Sequence, residues 1–189
     1  MDPQSSSHPA SPGGFEWPGP PELEERLHEE IGRAERHGTA LSALLVVVEN
    51  LDEMAREHGS ELREQTLAYI AAALRTELRN FDRVGMPSEE ELLIVLPGAD
   101  GPRAEIVARR VLDRLQAIKV EARGQRRALR ISVGLAAWRE GLQAEGLIER
   151  ARAATARSGT TEEPAEIDAG PAPRLPGGRS PWEPPAGRS

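Results

Sequence analysis

The stretch RNFDRVGMPSEEELLIVLPGAD, residues 79–100, decides how the rest of the chain is read. Asp82 to Met86 reads as one arm of a hairpin, Pro87-Ser88-Glu89 as the turn, and Glu91 to Leu96 as the other arm. Pro97-Gly98 ends it. Two strands joined this tightly must lie side by side.

Working outward, the chain alternates helices and strands. Pro20-Pro21 precede a helix from about Glu22 to His37, with Leu23, Leu27, Ile31 and Ala34 on one face and Gly38 as its stop. Leu41 to Glu49 is a continuous, valine-rich apolar run that fits a central strand covered on both faces. A short helix, Leu51 to His58, ends at Gly59. Ser60 can cap a longer helix to about Leu78, with Leu67, Ile70, Ala71, Leu74 and Leu78 facing inward. After the hairpin, a helix runs from about Pro102 to Ala117. Lys119 to Glu121 and Ala128 to Ala137 read as strands joined by the polar turn Ala122 to Arg127, and a last helix covers about Leu142 to Arg157. The order α-β-α-α-β-β-α-β-β-α argues for a central sheet with helices packed on its faces.

The ends differ from this middle. Residues 1–21 and 159–189 are rich in Pro, Gly and Ser and cannot bury enough apolar surface to offset their chain entropy, so both read as disordered tails around one domain, 22–158. Trp17 and Trp182 read as isolated aromatics in these tails, and the Pro-rich C-terminus as a spacer. The net charge of −7 implies no basic surface for a nucleic-acid polymer. Zero cysteine excludes a disulfide framework, a thiolate nucleophile and a zinc-thiolate site, and the four scattered histidines make no metal centre. No signal peptide or membrane-spanning run is visible, which places the chain in the cytoplasm as an expectation.

The order of elements, with the words LEERLHEEIGRAERHGTALSALLVVVENLD, RNFDRVGMPSEEELLIVLPGAD and LRISVGLAAW in it, resembles the GGDEF domain of bacterial diguanylate cyclases over nearly all of 22–158. The resemblance implies an α/β fold, with a central mixed, mostly antiparallel sheet flanked by helices on both faces. It also implies where the family's chemistry should fall. Aligned on Leu96-Pro97, the signature lands on Ser88-Glu89-Glu90-Glu91-Leu92. Glycines there let backbone approach nucleotide phosphates. Ser88 and Glu89 would crowd that turn, and Glu89 would repel a triphosphate. Glu90 matches the family's metal-binding acid and Glu91 its neighbour, but the second metal carboxylate falls on Val47. One carboxylate is a poor magnesium clamp. The guanine-facing asparagine falls on Ala55, the phosphate-facing lysine on Asp52, and the arginine before the signature on Met86; Glu64 stands in for the guanine-binding aspartate. FEWPGPPEL replaces the family's opening loop. The expectation is no cyclase activity, no catalytic residue and no metal.

One functional word survives. Arg79-Asn80-Phe81-Asp82 matches the family's RxxD motif, five residues before the signature, and Arg110 matches an arginine that the family often adds from the following helix. The resemblance implies a site for cyclic di-GMP made by Arg79, Asp82 and Arg110. Arginine offers a planar fork to guanine O6 and N7, and aspartate accepts from the guanine N1–H and N2–H edge. Arg110, one turn after Ile106, is placed at the edge of that helix's buried face, with Arg83 and Arg109 as further phosphate contacts. The bland alternative has Asp82 capping the strand entry and Arg79 pairing with a local acid. Three functions stay open at this point: a cyclic di-GMP receptor acting on a protein partner or a second copy, a ligand-independent scaffold, and a residual cyclase supported only by Glu64, Glu90 and Glu91.

Overall fold

The computed structural model describes residues 17–158. Eleven elements follow in the order α1 (Pro20–His37), β1 (Leu41–Val48), α2 (Leu51–His58), α3 (Ser60–Glu77), β2 (Arg83–Gly85), β3 (Glu91–Pro97), α4 (Gly101–Gln116), β4 (Lys119–Ala122), β5 (Gln125–Ala128), β6 (Ile131–Ala137) and α5 (Ala144–Ser158). The main sheet has strand order β2-β3-β1-β6, and the hairpin β4-β5 stands apart from it. Every pairing in both sheets is antiparallel. The fold is therefore α/β with helices on both faces of an antiparallel sheet; the mixed pairing expected from sequence is not present among the described residues.

Strand alternation divides the core into two layers. Leu44, Val46 and Val48 of β1 join Leu92, Ile94 and Leu96 of β3 and Ile131, Val133 and Leu135 of β6, and this face receives α2, α3 and α4. Ala43 and Leu45 join Leu93, Val95 and Ala136 on the opposite face, beneath α1 and α5. β1 is buried at seven of its eight positions, so its uninterrupted valine-rich run is explained by cover on both sides. Gly134 of β6 lies opposite Leu45, and its missing side chain lets the backbone of α5 approach the sheet.

Several sequence expectations shift. α1 starts at Pro20 rather than Glu22, because proline suits the first helical positions, and it ends on Gly38 in the left-handed conformation (φ 60°). Trp17 packs against the larger core layer, and the Pro18 carbonyl accepts from the Met86 amide at 2.9 Å. Trp17 thus belongs to the domain, not to a leading tail. Residues 1–16 and 159–189, with Trp182 and the Pro-rich end, lie outside the described residues. Ser60 does not cap α3: the flanking residue is Gly59 (φ 94°, ψ 164°), and no side chain caps that end. The segment expected as a polar turn, Ala122 to Arg127, instead makes the tip and second strand of the β4-β5 hairpin. Asn50 holds that region to the sheet end: its side chain donates to the Ala128 carbonyl at 3.0 Å and accepts from the Arg130 amide at 2.9 Å.

Candidate functional site

Two turns carry the residues of interest. The first, 87–90, joins β2 to β3. Arg63 of α3 reaches it, donating to the Glu89 carbonyl, with the Glu89 carboxylate 3.8 Å from the same guanidinium. The Glu90 carboxyl is hydrogen-bonded to Asp52 at the start of α2. That contact, first, and burial, second, push Glu90 above the ordinary carboxylate range. A neighbouring carboxyl group disfavours the charged form of Glu90. Glu91 faces α5, where its carboxylate takes a two-pronged pair from Arg152, Nε to Oε1 and Nη2 to Oε2, each at 2.7 Å. Arg152 also pairs with Glu149. Val47 sits opposite both Glu91 and Ser132 in the sheet, a methyl-bearing side chain between two strands.

The Arg152 fork holds Glu91 below the usual carboxylate range, with burial opposing and a Ser88 hydrogen bond adding to it. The sign of its linkage follows. A folded pKa below the ordinary 4.5 makes this contribution complete above that value, and it is lost as pH falls through the folded pKa. Arg152→Gln should therefore lower stability at neutral pH by about 1–2 kcal/mol; the full ~3–5 kcal/mol of a broken buried pair is not expected from a partly exposed arginine. Urea denaturation of wild type and variant at pH 7 and pH 3.5 checks this: the gap should shrink on acidification, and an unchanged gap would exclude the ion pair as its source.

The second turn, 78–82, joins α3 to β2. Asp82 closes it: Oδ2 accepts from the Arg79 amide at 2.7 Å, and the Asp82 amide donates to the Arg79 carbonyl at 3.1 Å. Burial raises the Asp82 carboxyl above its ordinary 3.8, opposed by the Arg79 amide and the charges of Arg79 and Arg83. The Arg79 guanidinium lies over the Phe81 ring, 5.7 Å from its centroid, and has no carboxylate within 4.0 Å among the described residues. Arg83 turns back on the Asn80 carbonyl at 3.4 Å, and Arg109 pairs with Glu105 at 3.0 Å.

Arg110 projects from α4 to the C-terminal end of α3, two residues before Arg79. Its partner there is Glu77: Nε donates to Oε2 at 3.1 Å, and Nη2 donates to Oε2 at 3.0 Å and to the Glu77 carbonyl at 2.9 Å. The helix face also differs from expectation. Ile106 is 60 % exposed, and the buried stripe of α4 is Ala104, Ala108, Val111, Leu112 and Leu115. Arg110 reaches Glu77 from the solvent side of that stripe. Sequence reasoning missed Glu77, Asp52 as a partner of Glu90, and Arg152. Glu77 and Arg110 are 33 residues apart, and Glu91 and Arg152 are 61 apart, so no local spacing marks either pair.

The family model described as "Diguanylate cyclase, GGDEF domain" matches residues 21–163. The chain belongs to the GGDEF family. This GGDEF domain is 25% identical over 136 residues to the diguanylate cyclase DgcP of Pseudomonas aeruginosa, a match covering 72% of this chain and 20% of that protein. It is 31% identical over 108 residues to the diguanylate cyclase DosC of Escherichia coli, covering 57% of this chain and 24% of DosC. The chain thus spans about a fifth to a quarter of those relatives. Among solved structures, it is similar to the diguanylate cyclase SiaD of Pseudomonas aeruginosa, in complex with its activator SiaC, with 30% identity, a TM-score of 0.71, and coverage of 80% of this chain and 58% of SiaD. The GGDEF domain of DgcB from Caulobacter crescentus, in complex with c-di-GMP, shares the fold: TM-score 0.74 at 15% identity, covering 87% and 97% of the two chains. Among the described residues, no helix of this GGDEF domain is long and apolar enough to cross a membrane.

Proposed function

We propose that this GGDEF domain binds cyclic di-GMP through Arg79, Asp82 and Arg110, does not synthesise it, and acts on a protein partner. The observation that carries the reading is the contrast between the two turns. At 78–82 the backbone fixes Asp82, and the Arg79 guanidinium lies over Phe81 with no carboxylate within 4.0 Å among the described residues. That is a cation with a fork and a face to offer a purine. At 87–90 the groups that would meet a magnesium–nucleotide complex are committed elsewhere or carry the wrong charge. Glu90 lies against Asp52, which pushes it above the ordinary carboxylate range, Glu91 is held by Arg152, and Val47 supplies no side-chain oxygen. A magnesium clamp needs several oxygen ligands in a near-octahedral set. The residues present do not fit one, and no cyclisation step is derived.

Incubation of the purified chain with GTP and magnesium should yield no cyclic di-GMP above a protein-free control. Any sustained product formation contradicts the reading. Cyclic di-GMP itself should bind, and Arg79→Ala should weaken that binding.

A second reading, a scaffold that needs no ligand, is favoured by one observation. Tyr69, Phe81 and Ile106 are large apolar side chains 53%, 48% and 60% exposed. Exposed aromatics of this kind anchor protein partners. A partner retained equally with and without the dinucleotide, and by Arg79→Ala, would select it.

A further inference from the structure

We infer that Glu77 is an internal competitor of the ligand: it locks Arg110 in the free protein, and the site gains Arg110 only when that lock opens. The inference rests on the cyclic di-GMP reading above and adds a regulating residue to it.

An arginine side chain has two edges that can make a bidentate contact. One pairs Nε with Nη2 and the other pairs Nη1 with Nη2, so both use Nη2. In this protein both Nη2 hydrogens are spent on Glu77, one on its carboxylate at 3.0 Å and one on its carbonyl at 2.9 Å, while Nε donates to the same carboxylate at 3.1 Å. Arg110 therefore has no bidentate edge left for guanine O6 and N7 or for a phosphate. Nη1 and the flat face are what remain. The Glu77 side chain is only 20% exposed against 51% for Arg110, so the acid is the anchored member and the arginine the mobile one. Arg114, one turn further along α4, approaches Glu77 Oε1 at 4.0 Å and can balance the carboxylate when Arg110 leaves. That neighbour lowers the cost of opening, because the released acid is not left without a cation. Arg79 and Arg109 do not share this arrangement: among the described residues, Arg79 has no carboxylate within 4.0 Å, and Arg109 pairs with Glu105, one turn away on its own helix.

The consequence is a characteristic non-additivity. In the wild type, Arg110→Gln should weaken cyclic di-GMP binding by less than about threefold, because a locked arginine contributes little. Glu77→Gln should tighten binding by about five- to tenfold, the scale of a partly exposed charge pair. In the Glu77→Gln background, Arg110→Gln should then remove that gain entirely. The titrations are calorimetric, with cyclic di-GMP as the probe. Binding by Glu77→Gln equal to or weaker than wild type overturns the lock and makes Glu77 an orienting residue instead.

The lock also has a readout without ligand. In the free wild-type protein, the Arg110 Nε–H resonance should be visible and slow to exchange, and Glu77→Gln should return it to rapid exchange. Fast exchange in the wild type overturns the lock directly. Slow exchange with no dinucleotide binding by any variant keeps the lock and overturns only the cyclic di-GMP reading.

Discussion

Gly134→Ala should destabilise the domain by about 3 kcal/mol or more, at the upper end of what overpacking costs. A Cβ there would lie 2.2 Å from the Ala151 carbonyl oxygen, 2.3 Å from Thr155 Oγ1 and 2.4 Å from the Thr155 amide nitrogen. Two of these are backbone atoms of α5, so no rotamer change relieves the clash; the helix must back away from β6. α5 supplies Ala144, Leu147 and Ala151 to the smaller core layer, and their separation from the sheet forfeits close packing along its length. In a domain of this size, a loss of that order lowers the melting temperature by roughly 10 °C. Gly19→Ser is the control, since a Cβ at Gly19 meets nothing within 4 Å and serine suits a helix N-cap. A Gly134→Ala protein within about 1 kcal/mol of wild type would contradict the seating of α5 on the sheet.

Arg79→Ala should weaken cyclic di-GMP binding by about ten- to a hundredfold, the worth of one charge-assisted fork, ~1.5–3 kcal/mol. Of the arginines around the 78–82 turn, Arg110 is held by Glu77, Arg109 by Glu105, and Arg83 by the Asn80 carbonyl. Arg79 alone among these lies over an aromatic face with no ion pair within 4.0 Å among the described residues, so it can turn to a base without breaking one. Its removal leaves the turn itself intact, because Asp82 is fixed by the residue-79 amide, which alanine retains. Melting temperature should therefore stay near wild type while affinity falls. Arg109→Ala should leave affinity almost unchanged. Equal losses for both variants would mean a diffuse electrostatic attraction in place of a site.

How much of this was legible in the chain depends on how local the cause is. β1 was legible because a valine-rich run covered on both faces has no polar side to hide. The β2–β3 pairing was legible because Pro87-Ser88-Glu89 leaves the chain no other way back. The β4-β5 hairpin was not. Its strands carry Gln125, Arg126 and Arg127 in full exposure, and its two-residue tip is Arg123-Gly124, both at positive φ (50° and 75°). A two-residue hairpin usually announces itself by Asn-Gly or Asp-Gly, and an arginine in that position reads as an ordinary polar turn.

The face of α4 was misjudged for a related reason. Ile106 looks like a core residue by type, yet Ala104 and Ala108 are the residues that let the helix approach the sheet. Of the candidate site, the Arg79-Asp82 turn was readable as a four-residue word, and the resemblance supplied its spacing to the signature. What holds Arg110 was not readable. Glu77 meets it only because α3 and α4 pack side by side, and that geometry exists in no window of the sequence.

The central claim is that this GGDEF domain binds cyclic di-GMP at the 78–82 turn. The most direct measurement is calorimetric titration of the purified full chain with cyclic di-GMP at neutral pH. Saturable binding at micromolar affinity or better, about −8 kcal/mol, is expected. An absence of heat and of any competing signal at protein concentrations well above that affinity would contradict it.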